Sequence, residues 1–169
     1  MIAGTAVPVE QYLRTAYDPD CEYIDGQVVE RSVGEYPHSR LQGLLYAYFL
    51  RRRKQWNITP IIEQRVLVTP STFLIPDICV LSGPEPRTKV VTEPPLIWIE
   101  ILSSEDRPVR VNRKVRQIIQ FGAAYVWVID PETLDSYVTT KNSEYDLTDA
   151  TLRIAESGIT VPLGAIDED

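Results

Sequence analysis

Two apolar runs in this chain are each interrupted by a single carboxylate. Asp77 falls within Leu74-Ile75-Pro76-Asp77-Ile78-Cys79-Val80-Leu81, and Glu100 within Leu96-Ile97-Trp98-Ile99-Glu100-Ile101-Leu102. Both runs have the length and β-branched content of strands covered on both faces. A carboxylate in such surroundings is costly to ionise unless a positive charge meets it. Two of them in one small protein suggest a shared cation, which makes a metal-dependent site the first hypothesis.

At 169 residues the chain is expected to form a single domain spanning 1–169. A hydrophobic fraction of 44% is enough to build a full core. No stretch reaches the roughly 18 apolar residues of a membrane span. The start, Met1-Ile2-Ala3-Gly4-Thr5-Ala6-Val7-Pro8, lacks the basic opening and apolar centre of a signal peptide, so a cytoplasmic location is the expectation. Cys21 and Cys79 are the only cysteines. They lack the spacing of a zinc site and are not expected to be bridged, and Cys79 reads as a small core residue. A net charge of −7 argues against a broad basic face for nucleic acid but not against a local one. Arg51-Arg52-Arg53-Lys54 and the set Arg107, Arg110, Arg113, Lys114 and Arg116 are basic islands in an acidic chain.

Along the chain, residues 8–17 read as a short helix and 21–30 as a hairpin around Asp25-Gly26, a turn that needs positive φ at both positions. Leu41, Leu44, Leu45, Tyr48 and Phe49 recur at helical spacing and predict a helix over 38–53. Strands are expected over 61–68 and 73–81, joined at Pro70-Ser71, a register that sets Gln64 across from Asp77 on one face. A Pro-rich loop over 82–95 leads to a strand over 96–102. A helix follows over 106–121, with Asp106 as its N-cap, Pro108 in its first turn and Gly122 at its end. Residues 125–129 are a further buried strand, parallel to 96–102 through a right-handed crossover. Residues 136–140 and 151–155 read as shorter strands of an edge meander.

Projected at about 100° per residue, Val111, Val115, Ile118, Ile119, Phe121 and Gly122 share one arc of the 106–121 helix. Lys114 falls inside that arc, while Arg113, Arg116 and Gln120 lie opposite. A lysine there faces the sheet that carries Glu100. It either snorkels to water along its apolar stem or reaches the carboxylates and offsets their repulsion. In a phosphodiester-cleaving site Asp77 and Glu100 would hold Mg²⁺ through hard oxygens. The ion would activate a bound water. Lys114 would orient or help deprotonate that water, or neutralise charge in the transition state.

The ordered set of motifs resembles the PD-(D/E)XK nuclease superfamily, and within it the Uma-type family of restriction endonucleases. The stretches that carry the likeness are Glu22-Tyr23-Ile24-Asp25-Gly26, His38 at the opening of a helix, Ile75-Pro76-Asp77-Ile78-Cys79-Val80, Ile99-Glu100-Ile101-Leu102-Ser103, Lys114 ahead of Gly122, and Tyr125-Val126-Trp127-Val128-Ile129-Asp130-Pro131. Together they span about residues 10–165. The resemblance implies an α/β fold with a restriction-endonuclease-like core, a mixed central β-sheet flanked by helices. It also implies an endonuclease site using Mg²⁺, with Mn²⁺ as a substitute, and DNA as the partner. Leu102 stands where the superfamily's E-X-K lysine is expected. In the Uma-type branch that lysine looks moved to the following helix, which fits Lys114. By the same likeness Glu22 is a further metal ligand.

Other readings stand beside this one. Asp77 after Pro76 could be a turn residue. Glu100 could be half of a structural ion pair with Lys114 or Arg65. His38 could contact the metal's water, act as a base, or sit at the mouth of the site satisfied by solvent. Glu22 could be a surface or ion-pairing residue, and Gln64 is read as a group supporting Asp77. Arg51 to Lys54 reads as a helix C-terminal cluster meeting the dipole, and Trp56, Trp98 and Trp127 as core residues. The main rival to an enzyme is a catalytically inactive protein of the same fold that binds nucleic acid or a protein partner. No membrane contact is expected. Cutting both strands of a duplex commonly needs two sites, so a homodimer is a candidate assembly.

Overall fold

The computed structural model describes residues 6–32 and 34–166. Its centre is a six-stranded mixed sheet in the order β10-β9-β8-β7-β6-β3. These strands are β3 (Ile58–Ile62), β6 (Ile78–Ser82), β7 (Ile97–Ile101), β8 (Tyr125–Ile129), β9 (Ser136–Thr139) and β10 (Asp146–Leu147). β7 and β8 are parallel, and the other neighbours are antiparallel. This confirms the mixed sheet and the 96–102 to 125–129 pairing expected from the two buried runs.

Alternation along the central strands explains why they look apolar throughout. Ile78, Val80, Ile97, Ile99, Ile101, Trp127 and Ile129 face one layer, packed with Leu41, Leu45, Tyr48 and Phe49 of helix α2 (Tyr36–Trp56). Cys79, Leu81, Trp98, Val126 and Val128 face the other layer, with Val115 and Ile118 of helix α3 (Pro108–Phe121). Each face needs every second residue, and two apolar faces together give an unbroken apolar run. Glu100, between Ile99 and Ile101, therefore points to the α3 side.

A second, four-stranded sheet has the order β2-β1-β5-β4, from β1 (Cys21–Ile24), β2 (Gln27–Glu30), β4 (Val66–Thr69) and β5 (Thr72–Leu74). Asp25 and Gly26 both take positive φ between β1 and β2, at 48° and 87°, as the hairpin signal requires. The short helix α1 (Val9–Arg14) buries Tyr12 against Tyr23 and Phe73 of this sheet. β11 (Thr151–Ile154) and β12 (Ile159–Pro162) form a separate hairpin, not the edge meander expected for 151–155.

The two strands predicted over 61–68 and 73–81 are each broken. The first divides into β3 and β4, the second into β5 and β6, and in each case the halves belong to different sheets. Glu63-Gln64-Arg65 cannot be buried in alternation between apolar neighbours, and Glu63 turns the chain with φ 49°. Pro76 has no N–H to donate to a central ladder. Gln64 consequently does not face Asp77. Its Nε2 donates to the Arg65 carbonyl (3.3 Å) and the Lys89 carbonyl (3.0 Å) instead.

Both main helices differ in their bounds from expectation. α2 starts two residues earlier, with Pro37 in its first turn, and runs to Trp56, where Asn57 caps it at φ 49°. Arg53 and Lys54 lie in its last turn. For α3 the residue flanking the helix is Arg107, not Asp106. The Asp106 carboxylate accepts from the Ser103 N–H (2.8 Å) and hydroxyl (3.0 Å), holding the turn between β7 and α3.

Candidate active site

The carboxylates gather where the two sheets part. β6 and β7 pair with Ile78 opposite Ile99. One further step of that register sets Asp77 opposite Glu100, a cross-strand relation that brings Cβ atoms to about 5 Å. Asp77 is buried. Its Oδ2 accepts from the Ile101 backbone N–H at 2.7 Å, and its Oδ1 from Arg31 Nη2 at 2.8 Å. Burial works against its charge, but the His38 hydrogen bond and charge, the Ile101 N–H and Arg31 outweigh it, so its pKa lies below the ordinary aspartate value.

Glu100 and Glu22 share one cation. Lys114 Nζ stands 2.8 Å from Glu100 Oε1, 3.0 Å from Glu100 Oε2 and 2.8 Å from Glu22 Oε1. Glu22 arrives from β1, is buried, and also accepts from the Ile75 N–H at 3.1 Å. Trp98 Nε1–H donates to Glu100 Oε1 at 2.6 Å from two residues earlier on the same strand face. Burial raises the Glu100 pKa, Lys114 pulls it back, and the charges of Asp77 and Glu22 push it up again, leaving it at about 7. Lys114 moves the opposite way. Burial lowers its pKa, but Glu100 and Glu22 more than restore it, so the ammonium is held charged. Glu22, Asp77, Glu100 and Lys114 line a cleft of about 70 Å³ with His38, Asp106, Arg110 and Leu102 at its walls.

A family model for Uma2, described as "Putative restriction endonuclease", matches residues 9–162. This chain belongs to the Uma2 family. A crystal structure described as a putative nuclease belonging to DUF820, from Anabaena variabilis ATCC 29413, superposes on this Uma2 chain with a TM-score of 0.81 at 19% identity. The superposition covers 96% of this chain and 98% of that one; at such identity it is the fold that is shared. No curated protein matches the chain.

Of the residues singled out from the Uma2 sequence, Asp77, Glu100, Lys114, Glu22 and His38 converge on this cleft, and Gln64 does not. His38 is not satisfied by solvent. Its side chain is 12% exposed, and Nε2 lies 3.4 Å from Asp77 Oδ2. Burial lowers its pKa, but the Asp77 hydrogen bond and charge raise it further than burial lowers it, so it lies above the ordinary value. Its Nδ1 is buried with no hydrogen-bond partner among the described residues. Arg65 pairs with Asp20, not Glu100.

Sequence reasoning missed Arg31 and the indole N–H of Trp98. Arg31 stands just past the hairpin, and its meeting with Asp77 depends on how two sheets pack. The Trp98 contact was open to the period-2 rule, since residues 98 and 100 of one strand share a face.

Proposed function

We propose that this protein is a metal-dependent endonuclease that hydrolyses phosphodiester bonds in DNA, with Mg²⁺ as its metal and Mn²⁺ as a substitute. Family membership supports a nuclease-like activity. The observation that carries the reading is the convergence of Asp77 from the bend before β6, Glu100 from β7 and Lys114 from α3 on one cleft. A core that merely needed filling would place apolar side chains there.

The donor set fits a hard divalent cation. Three carboxylates crowd together, and the charges of Asp77 and Glu22 add to burial in raising the Glu100 pKa to about 7. A divalent ion would discharge that excess. Among the described residues no three acidic, histidine or cysteine side chains are grouped to hold an ion unaided. Mg²⁺ commonly binds through one or two carboxylates and keeps water or phosphate oxygens in its other positions. Asp77 and Glu100 would hold it. Glu22 is engaged with Lys114 and the Ile75 N–H, so we assign it to anchoring the lysine. When bound, the ion lowers the pKa of a water and offsets charge on the scissile phosphate.

The protein's own groups divide the remaining work. Lys114, charged and held by two carboxylates, is a donor rather than a base, and stabilises negative charge building on the phosphate. It supplies the ammonium that Leu102 cannot. Trp98 and Lys114 fix the Glu100 carboxylate, while Arg31 and the Ile101 N–H fix that of Asp77. Arg110, exposed at the start of α3 and lining the cleft, is placed to meet a flanking phosphate.

One observation favours the rival reading of a catalytically inactive binding protein. Each of the three carboxylates already meets a protein cation, with Glu22 and Glu100 sharing Lys114. Supercoiled plasmid separates the two. With Mg²⁺ the purified protein should nick it, chelation should stop the reaction, and Glu100→Ala should lack activity. Equal nicking by Glu100→Ala overturns the proposed site, and binding without nicking supports the rival.

A further inference from the structure

Beside the catalytic cleft lies a second cleft of about 350 Å³, lined by Leu102, Asp106, Pro108, Val111, Asn112, Tyr137 and Tyr145. Three of these residues, Leu102, Asp106 and Val111, also line the catalytic cleft, so the two spaces share a wall. Sheet register ties them further. Glu100 pairs with Val128 and Val128 with Tyr137, so Tyr137 occupies the same row and face as Glu100, two strands away. We propose that this second cleft receives an unstacked nucleobase adjoining the phosphate held at Glu100 and Lys114, making single-stranded or locally melted DNA the substrate. The inference rests on the phosphodiester reading of the neighbouring site.

Four features favour this occupant. Tyr137 and Tyr145 stand with ring centroids 5.3 Å apart, tilted at 58°, and both residues are half-buried. Aromatic faces at the side of a nucleic-acid site are the usual platform for bases of any sequence. Tyr145 is held at φ 57°, a left-handed conformation that bulky residues rarely adopt, and the Thr139 hydroxyl accepts from its backbone N–H at 3.4 Å. The apolar walls carry two polar side chains, Asp106 and Asn112, able to meet a base edge; the Asn112 Oδ1 already accepts from the Tyr137 hydroxyl at 3.4 Å. Finally, the first turn of α3 separates the clefts and holds no acidic residue. Arg107 and Arg110 are exposed there, so the positive end of the helix and two guanidinium groups stand where a backbone phosphate would pass.

The test measures binding without cleavage. The full chain is titrated, in chelator, into a short single-stranded oligodeoxynucleotide carrying 2-aminopurine, and into the same strand with an abasic site at that position. Wild type should quench the fluorescent base and bind the base-bearing strand about tenfold more tightly than the abasic one. Tyr145→Gly deletes the ring and relieves the left-handed backbone together. It should erase that difference without lowering the melting temperature, and Tyr145→Trp should keep it. Equal affinity for the two strands in wild type overturns the proposal, whether or not any variant folds. So does an absence of binding, or a Tyr145→Gly effect confined to self-association through the exposed Leu147 edge. Tyrosine-dependent base binding without plasmid nicking sinks the nuclease reading alone. Nicking without it sinks only the base subsite.

Discussion

Replacing Lys114 with methionine keeps an apolar stem of similar length and removes the ammonium, leaving the buried Glu22 and the half-buried Glu100 without the charge that each meets at 2.8 Å. Glu100 already titrates at about 7 against an ordinary 4.5, which corresponds to about 3 kcal/mol of penalty on its charged form above neutrality. Losing one partner of a buried pair costs about 3–5 kcal/mol, so the variant should lose about that much stability near pH 8. The sign with pH follows from proton binding. A carboxyl raised in the folded state binds its proton more tightly there than in the unfolded chain. Wild-type stability from Glu100 therefore falls as pH rises from its ordinary value through about 7. Without Lys114 the window extends upward, and near pH 5 Glu100 is protonated and no longer misses the cation. Urea unfolding followed by the fluorescence of buried Trp98 and Trp127 measures this at each pH. The loss should shrink at pH 5, and adding Glu100→Gln should recover at least half of it at pH 8. A loss that is equal at both pH values, or slight at pH 8, would mean that Lys114 extends to water and holds no carboxylate.

Two further outcomes follow from the same contacts. Trp98→Phe removes the N–H at 2.6 Å from Glu100 Oε1. It should cost about 1–3 kcal/mol and move the Glu100 titration above 7, read by carbon NMR of the labelled carboxyl; an unmoved midpoint would show that the indole is a bystander. Gln64→Ala cuts the bonds to the Arg65 and Lys89 carbonyls and should lower stability by about 1 kcal/mol with plasmid nicking unchanged. A collapse in nicking at unchanged stability would return Gln64 to the active site.

What could be read from the sequence was whatever a local period carries. Glu100 and Lys114 were legible because a two-residue and a 3.6-residue repeat each fix a face, and those two faces meet. The hairpin at Asp25-Gly26 was legible because both turn residues need positive φ, and both have it. The broken strands were misread although their signals were present: three consecutive polar residues over 63–65, and a proline within a run taken as a central strand. Arg31 was illegible in a deeper sense. It carries no pattern of its own, and it reaches Asp77 across 46 positions of chain only because β1 and β2 form a second sheet.

That second sheet gives the interrupted runs their physical meaning. The chain leaves the central sheet at 63–65 and returns at 75–77, and between those points it builds β4 and β5, which pair with each other while β5 also pairs with β1. Asp77 is the last residue before β6, and Glu100 is its register neighbour. The carboxylates therefore interrupt their strands where one sheet's cover ends and the other's begins. Glu22 and Arg31 come from the small sheet and the chain just past it, and Lys114 comes from α3, so the site draws on both layers of the fold. A substitution that disturbs how the sheets meet would move acid and cation apart without touching either. The Glu22 carboxylate, bonded at once to the Ile75 N–H and to Lys114, spans that junction, as Asp77 does between Arg31 and the Ile101 N–H.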